Sequence, residues 1–340
     1  MTFVRDQLDL FGGSAAARAA HDASPARVPP AEFGEEIVAL GRALPAKLYL
    51  GTSSWAFPGW AGIVYGDTFP EPVLSREGLR AYAAHPVLSC AGIDRGYYAP
   101  LSATELARYA AQVPERFRFV VKAPALVTDA FIRGERGKPA GDNPRFLDAA
   151  FATDHFIGPC INGLGAKAGP LVFQFPPLGR AIVRDPTRFA ARLHRFLDDL
   201  PAGQLYAIEL RDPGLLGGTL AAALGATRVR YCFGVHSRMP GLAAQAAALA
   251  ALVPGPLVAR WNLRAGLAYD AAKAQYAPFD RLIDEDPGTR GALAVCCLDT
   301  LAAGHPAFVI ANNKAEGSAP LTLIKLAQAV HAGRLASRLP

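Results

Sequence analysis

Eight times along this chain an apolar, strand-forming run stops at a polar tip and gives way to a stretch able to form a helix. The runs lie near residues 47–51, 87–93, 117–122, 170–175, 205–210, 228–234, 256–261 and 306–311. Parallel strands cannot be joined by a tight turn, so strand and helix in alternation give βαβ units. Eight such units predict an α/β fold, a closed TIM-like (β/α) barrel. Barrels of this kind occupy roughly 250 residues as one domain. The 340 residues therefore divide into a barrel over 46–335 and an N-terminal extension over 1–45. That extension is rich in alanine, proline and charge, shows no strand alternation and is expected to be flexible, with one short helix within Glu32 to Leu44. Further helices are expected over Ser102–Val113, where Ser102 and Glu105 have capping-box spacing, over Asn143–Leu164 and over Pro186–Leu200, with one or two between Tyr269 and Ala303.

Composition removes several function classes. The chain is 51% hydrophobic and 19% charged, which supplies a large core. No apolar run reaches membrane-spanning length and the N-terminus lacks the apolar segment of a signal peptide, so a cytoplasmic protein without membrane contact is expected. Five cysteines, none in Cys-x-x-Cys spacing, argue against a disulfide framework or a zinc ribbon; adjacent Cys296 and Cys297 read as buried thiols. The net charge of +6 is compatible with an anionic partner.

Barrel enzymes gather their reactive groups at the carboxyl ends of the strands. The first strand, Leu48-Tyr-Leu-Gly51, opens there into Thr52, Ser53, Ser54 and Trp55, with Gly51 suited to a sharp turn and Trp55 and Trp60 able to wall a pocket. Strand alternation sets Glu209 and Arg211 on one face, and likewise Arg260 and Asn262. The same end receives Asp94, Arg95, Tyr98, Lys122, Gln174, His236, Asn312 and Asn313. Cations beside carboxylates suit an anionic or polyhydroxylated ligand, Lys122, Arg211 and Arg260 meeting negative oxygens and Gln174 and Asn312 fixing hydroxyls or amides. The catalytic candidates are Glu209, as a general base, with Lys122 and Asp94; Trp55, Arg95, Tyr98, Asn262 and Asn313 complete the ligand-binding set. The competing account is a buried ion-pair network that serves only the barrel interior.

The segments Gly51-Thr-Ser-Ser-Trp55, Val121-Lys122-Ala-Pro124, Phe173-Gln174-Phe-Pro-Pro177, Glu209-Leu-Arg211 and Asn312-Asn313 with downstream Ala319-Pro320 resemble those of the YecE-like family, the domain of unknown function 72, over Lys47 to Leu326. The resemblance implies the barrel fold and leaves the reaction open. Two positions depart from the family pattern. A carboxylate of the second strand is lost at Gly92 and one is gained at Asp94, and the histidine that usually follows the seventh-strand arginine is Asn262.

These residues lead to two expectations. One is a hydrolytic barrel enzyme acting on a phosphate-bearing or nucleic-acid-derived substrate; the other is a noncatalytic protein that binds a polar small molecule or serves as an interaction module. His236 with Asp94 and Glu209 can hold at most a single divalent metal, and no Gly-rich phosphate loop indicates a nucleotide cofactor. In the extension, Gln7-Leu8-Asp9-Leu10-Phe11 resembles the pentapeptide by which bacterial polymerases and repair factors dock on the DNA sliding clamp, with Gln7 at the rim and Leu8, Leu10 and Phe11 as apolar anchors.

Overall fold

The eight expected strands all form, and they close. The computed structural model describes residues 28–134, 137–264 and 266–337. Its barrel strands are β1 (Leu48–Thr52), β2 (Cys90–Ile93), β3 (Arg118–Lys122), β6 (Ala168–Gln174), β7 (Tyr206–Glu209), β8 (Arg230–Val235), β9 (Leu257–Trp261) and β10 (Ala307–Ala311). They run in spatial order 1-10-9-8-7-6-3-2, and β2 pairs with β1 to close the ring. Every pairing in the ring is parallel. An antiparallel hairpin, β4 (Phe131–Arg133) with β5 (Pro139–Asp142), follows β3.

Alternation along each strand separates two cores. Inward-facing Cys90, Val120, Val172, Ala207, Cys232, Val258, Phe308 and Ile310 pack inside the ring, with Tyr49 against them. Their neighbours, among them Leu50, Phe119, Leu171, Phe173, Ile208 and Ala259, face the helices. Counting up by twos from the inner set reaches Gly51, Gly92, Glu209, Gly234 and Arg260, then Ser53, Asp94, Lys122, Gln174, Arg211, His236, Asn262 and Asn312 at the carboxyl mouth. Gly51 is small because of close approach, not turning: a Cβ there would stand 1.9 Å from the Cys90 carbonyl oxygen.

The capping box forms as expected, with Ser102 capping Ala103–Ala110 and Glu105 reciprocating. The helix expected over Asn143–Leu164 is broken: Leu147 takes φ 60°, and the segment becomes Ala149–Ala152, a wide π turn over Thr153–Ile157, and Gly158–Leu164. Two helices, Tyr269–Tyr276 and Pro287–Ala302, fill the region left open. Cys297 is buried and Cys296 half-buried. From Val28 the chain is already packed on the barrel: Val28, Ala31 and Leu40 are buried, and the helix is Glu35–Ala43. The packed chain thus reaches back to Val28, within the segment 1–45 expected as an extension; Gln7, Leu8, Leu10 and Phe11 lie outside the described residues. No helix among the described residues is long and apolar enough to cross a membrane.

Candidate functional site at the carboxyl mouth

Two adjoining cavities open at the carboxyl ends of the strands. The larger, about 290 Å³, is lined by Asp94, Lys122, Gln174, Arg211, Arg260 and Asn262, with Tyr97, His236, Arg238 and the Pro176-Pro177 pair at its edges. The smaller, about 80 Å³, is lined by Ser53, Ser54, Glu71 and Lys314. Asp94, Tyr98, Lys122, Tyr269 and Asn312 belong to both.

Below the larger cavity lies an ion-pair network. Arg260 donates to Glu209 Oε2 at 2.9 Å and also to Asp94 Oδ2; Arg211 Nη1 pairs with Glu209 Oε1, which accepts from Asn262 Nδ2 at 3.0 Å as well. Gly234 makes room for it, since a Cβ there would stand 3.2 Å from Arg211 Nη1 and 3.4 Å from Glu209 Oε1. Burial alone would raise the Glu209 pKa, but Arg211 and Arg260 outweigh it and hold the carboxyl at about 2. Glu209 is fully buried and lines neither cavity. A carboxylate with three donors and so low a pKa is a poor proton acceptor, so Glu209 is placed as the anchor of the network rather than as the expected general base. Arg260 is in turn pushed above the arginine range, because Asp94 and Glu209 overcome the desolvation that would lower it.

Lys122 is different. Its ammonium lies 3.6 Å from the centre of the Tyr97 ring and forms no ion pair among the described residues. Burial lowers its pKa to about 7; Arg260 and Arg211 add to the fall while Asp94 and Glu209 oppose it. Lys314 is 3% exposed, its Nζ 4.2 Å from the Tyr269 ring centre and 5.8 Å from that of Phe279, also without an ion pair among the described residues. Burial and Arg211 bring His236 down to about 4, so it is neutral at pH 7; its Nδ1 accepts from the Arg238 N–H at 3.1 Å.

Three residues expected to bind ligand lie elsewhere. Trp55 is buried, gives its indole N–H to the Ser75 carbonyl at 3.3 Å and packs edge-on against Tyr109. Arg95 turns away to Glu105 (2.9 Å) and the Tyr109 hydroxyl (2.7 Å). Asn313 is buried, its Oδ1 accepting from Ala319 N–H at 2.8 Å, where the last helix starts, and from Trp60 Nε1 at 3.3 Å. Asp94, Tyr98, Lys122, Gln174, Arg211, Arg260, Asn262 and Asn312 come together at the mouth. His236, Asp94 and Glu209 do not form a metal site: both carboxylates are committed to Arg260, and among the described residues no group of three His, Cys, Asp or Glu side chains is placed to hold an ion.

The family model for the protein of unknown function DUF72 matches residues 49–340. The chain belongs to the DUF72 family. A DUF72 family protein of Enterococcus faecalis is 18% identical with a TM-score of 0.56, the match covering 83% of this chain and 95% of that one. A DUF72 family protein of Thermotoga maritima is 19% identical with a TM-score of 0.52, covering 85% of this chain and 99% of that one. At such identities the likeness shows the fold. No curated protein matches the chain.

On the second strand of this DUF72 barrel, a Cβ at Gly92 would stand 3.0 Å from Ser53 Cα, a tight contact to which Ser53 would have to yield by a few tenths of an ångström. Asp94, two residues on and on the same face, supplies a carboxylate to Arg260 from the layer above. Asn262 donates to Glu209 from the position of the usual histidine. Tyr97, Arg238, Tyr269 and Lys314 are mouth residues that sequence reasoning missed.

Proposed function

We propose that the mouth binds a phosphate-bearing or nucleic-acid-derived small molecule and that the protein is an enzyme that hydrolyses a phosphoester bond in it. The observation that carries this reading is the unpaired ammonium of Lys122 at the wall shared by both cavities. A half-buried cation that forms no ion pair is poorly compensated, and an anionic ligand supplies the missing charge. Lys314 and Arg238, which also lack ion pairs among the described residues, offer further charge-assisted hydrogen bonds to phosphoryl oxygens. Ser54 and Asn312 add neutral polar groups, while Tyr97, Tyr98 and Tyr269 give the rest of the ligand aromatic surface. With a pKa near 7, the Lys122 ammonium is suited to protonate a leaving oxygen, and Asp94 is the carboxylate of the larger cavity able to orient water.

The noncatalytic alternative uses the same pocket and differs in turnover. Phosphomonoesters, phosphodiesters and oligonucleotides, with and without divalent metals, should be offered to wild type and Lys122→Met. Turnover lost in the variant supports the enzyme. Ligand-induced stabilisation without turnover on any substrate overturns hydrolysis in favour of the binding protein, and neither effect overturns both readings. Separately, we propose that Gln7-Leu8-Asp9-Leu10-Phe11 docks on the sliding clamp, on the strength of its sequence match.

A further inference from the structure

We infer that Lys122 is a nucleophile that forms an imine with the carbonyl carbon of a phosphorylated aldehyde or ketone held in the mouth. The inference rests on the phosphate binding of the reading above, with Lys314 as the phosphate's cation, and gives the neutral form of Lys122 a covalent step in place of proton donation to a leaving oxygen.

Three observations carry it. First, Lys122 ends β3 on the inner face and lines both cavities, so a carbonyl in the larger can meet the amine while an attached phosphate lies against Lys314, Ser54 and Asn312 in the smaller. Second, the amine lies 3.6 Å from the Tyr97 ring centre and forms no ion pair among the described residues, so no ion pair must break to free its lone pair. Lys47 and Lys167, in contrast, are held by backbone carbonyls at 2.8–2.9 Å. Third, Asp94 and Tyr98 line the same two cavities, which places a carboxylate and a phenol beside the reacting atoms. Burial keeps the Tyr98 phenol protonated at neutral pH, well above its usual range. Desolvation beside other cations is a known way of freeing a lysine amine, and a pKa of about 7 leaves roughly half of Lys122 neutral at that pH.

The step balances without an outside reagent. The neutral amine adds to the carbonyl carbon, forming the C–N bond, and the carbonyl oxygen takes up a proton from the phenol or from water. The new ammonium loses a proton to the carboxylate or to water. The carbinolamine hydroxyl then leaves as water when protonated, giving the imine.

The test uses the full-length protein and pyridoxal 5′-phosphate, an aldehyde that carries a phosphate. Equimolar probe is added at pH 7, the imine is fixed with sodium borohydride, and the modified lysine is mapped by peptide mass spectrometry. The chain's six other lysines serve as internal controls. An ordinary lysine is neutral in only roughly one molecule in a few thousand at pH 7, so Lys122 should be labelled about 100-fold faster even after allowing for its lower intrinsic nucleophilicity. Lys122→Arg should lose the label and keep its melting temperature. Labelling of wild type with no preference for Lys122 overturns the inference whatever the variant does. If unphosphorylated pyridoxal labels Lys122 as fast and inorganic phosphate does not slow it, the imine stands and the phosphate reading falls. If pyridoxal 5′-phosphate raises the melting temperature without leaving a reduced adduct, the phosphate reading stands and the imine falls.

Discussion

Replacing Glu209 by Gln removes the charge at the centre of the network while nearly keeping its shape. An unfolded glutamate titrates near 4.5 and the folded one near 2, so folding favours the carboxylate. At about 1.4 kcal/mol per pKa unit this amounts to about 3 kcal/mol, and no discount for solvent applies because Glu209 is fully buried, exposed to neither cavity nor bulk water. A folded pKa below the unfolded one gives stability that is present above pH ~4.5 and is lost as pH falls through ~2. Gln resembles the protonated acid, so the gap between wild type and Glu209→Gln should be about 3 kcal/mol at pH 7 and should shrink by about 2 kcal/mol at pH 3. Urea unfolding at a series of pH values from 7 to 3 measures it. A gap under about 1 kcal/mol at pH 7, or one that does not change down to pH 3, would refute the assignment of Glu209 as a charged anchor.

Lys122→Met should stabilise the free protein by up to about 5 kcal/mol at pH 6, and the advantage should fade as pH rises from 7 to 10, because a lysine whose folded pKa is lowered costs in full while it is charged in the folded state and progressively less as pH climbs from the folded pKa toward the unfolded one. Thermal melts across that range check both the sign and the window. Gly51→Ala should cost at least about 3 kcal/mol in urea unfolding, since its Cβ would meet the Cys90 carbonyl at 1.9 Å, and a fully folded, equally stable variant would contradict this close approach. Phe11→Ala should abolish calorimetric binding to the sliding clamp of the same organism and leave the melting temperature unchanged; undiminished binding removes the docking proposal.

How much of this was legible in the sequence depended on strand phase. The eight barrel strands could be read because each is an apolar run with a polar tip. The hairpin β4–β5 could not: its strands are short, β5 is wholly exposed, and no apolar alternation marks them. The same phase explains the site. Asp94 and Asn312 continue the inward-facing series, so their immediate neighbours Arg95 and Asn313 point away, to Glu105 and to the start of the last helix. Lys314 lies in the turn that follows β10, so its direction is set by that turn and not by the strand period. Tyr97 and Tyr269 lie beyond the strands, where no period reveals direction. Trp55 lies past the end of β1, in a segment that folds back toward the helix Glu71–Ala83. That Glu209 would be closed off from ligand followed from packing: Arg260 and Arg211 cover it, and only the three-dimensional contacts show that.

The central claim is that the mouth is an anion site built around unpaired lysines, and phosphate itself tests it most directly. Inorganic phosphate should be titrated into wild type and into the Lys122→Gln/Lys314→Gln double variant, following the melting temperature against sodium chloride of matched ionic strength. The account predicts a saturating rise in wild type, of roughly 2.7 kcal/mol of added stability at a hundred times Kd, and no specific rise in the double variant. A rise no greater than that with chloride, or an equal rise in both proteins, would contradict it.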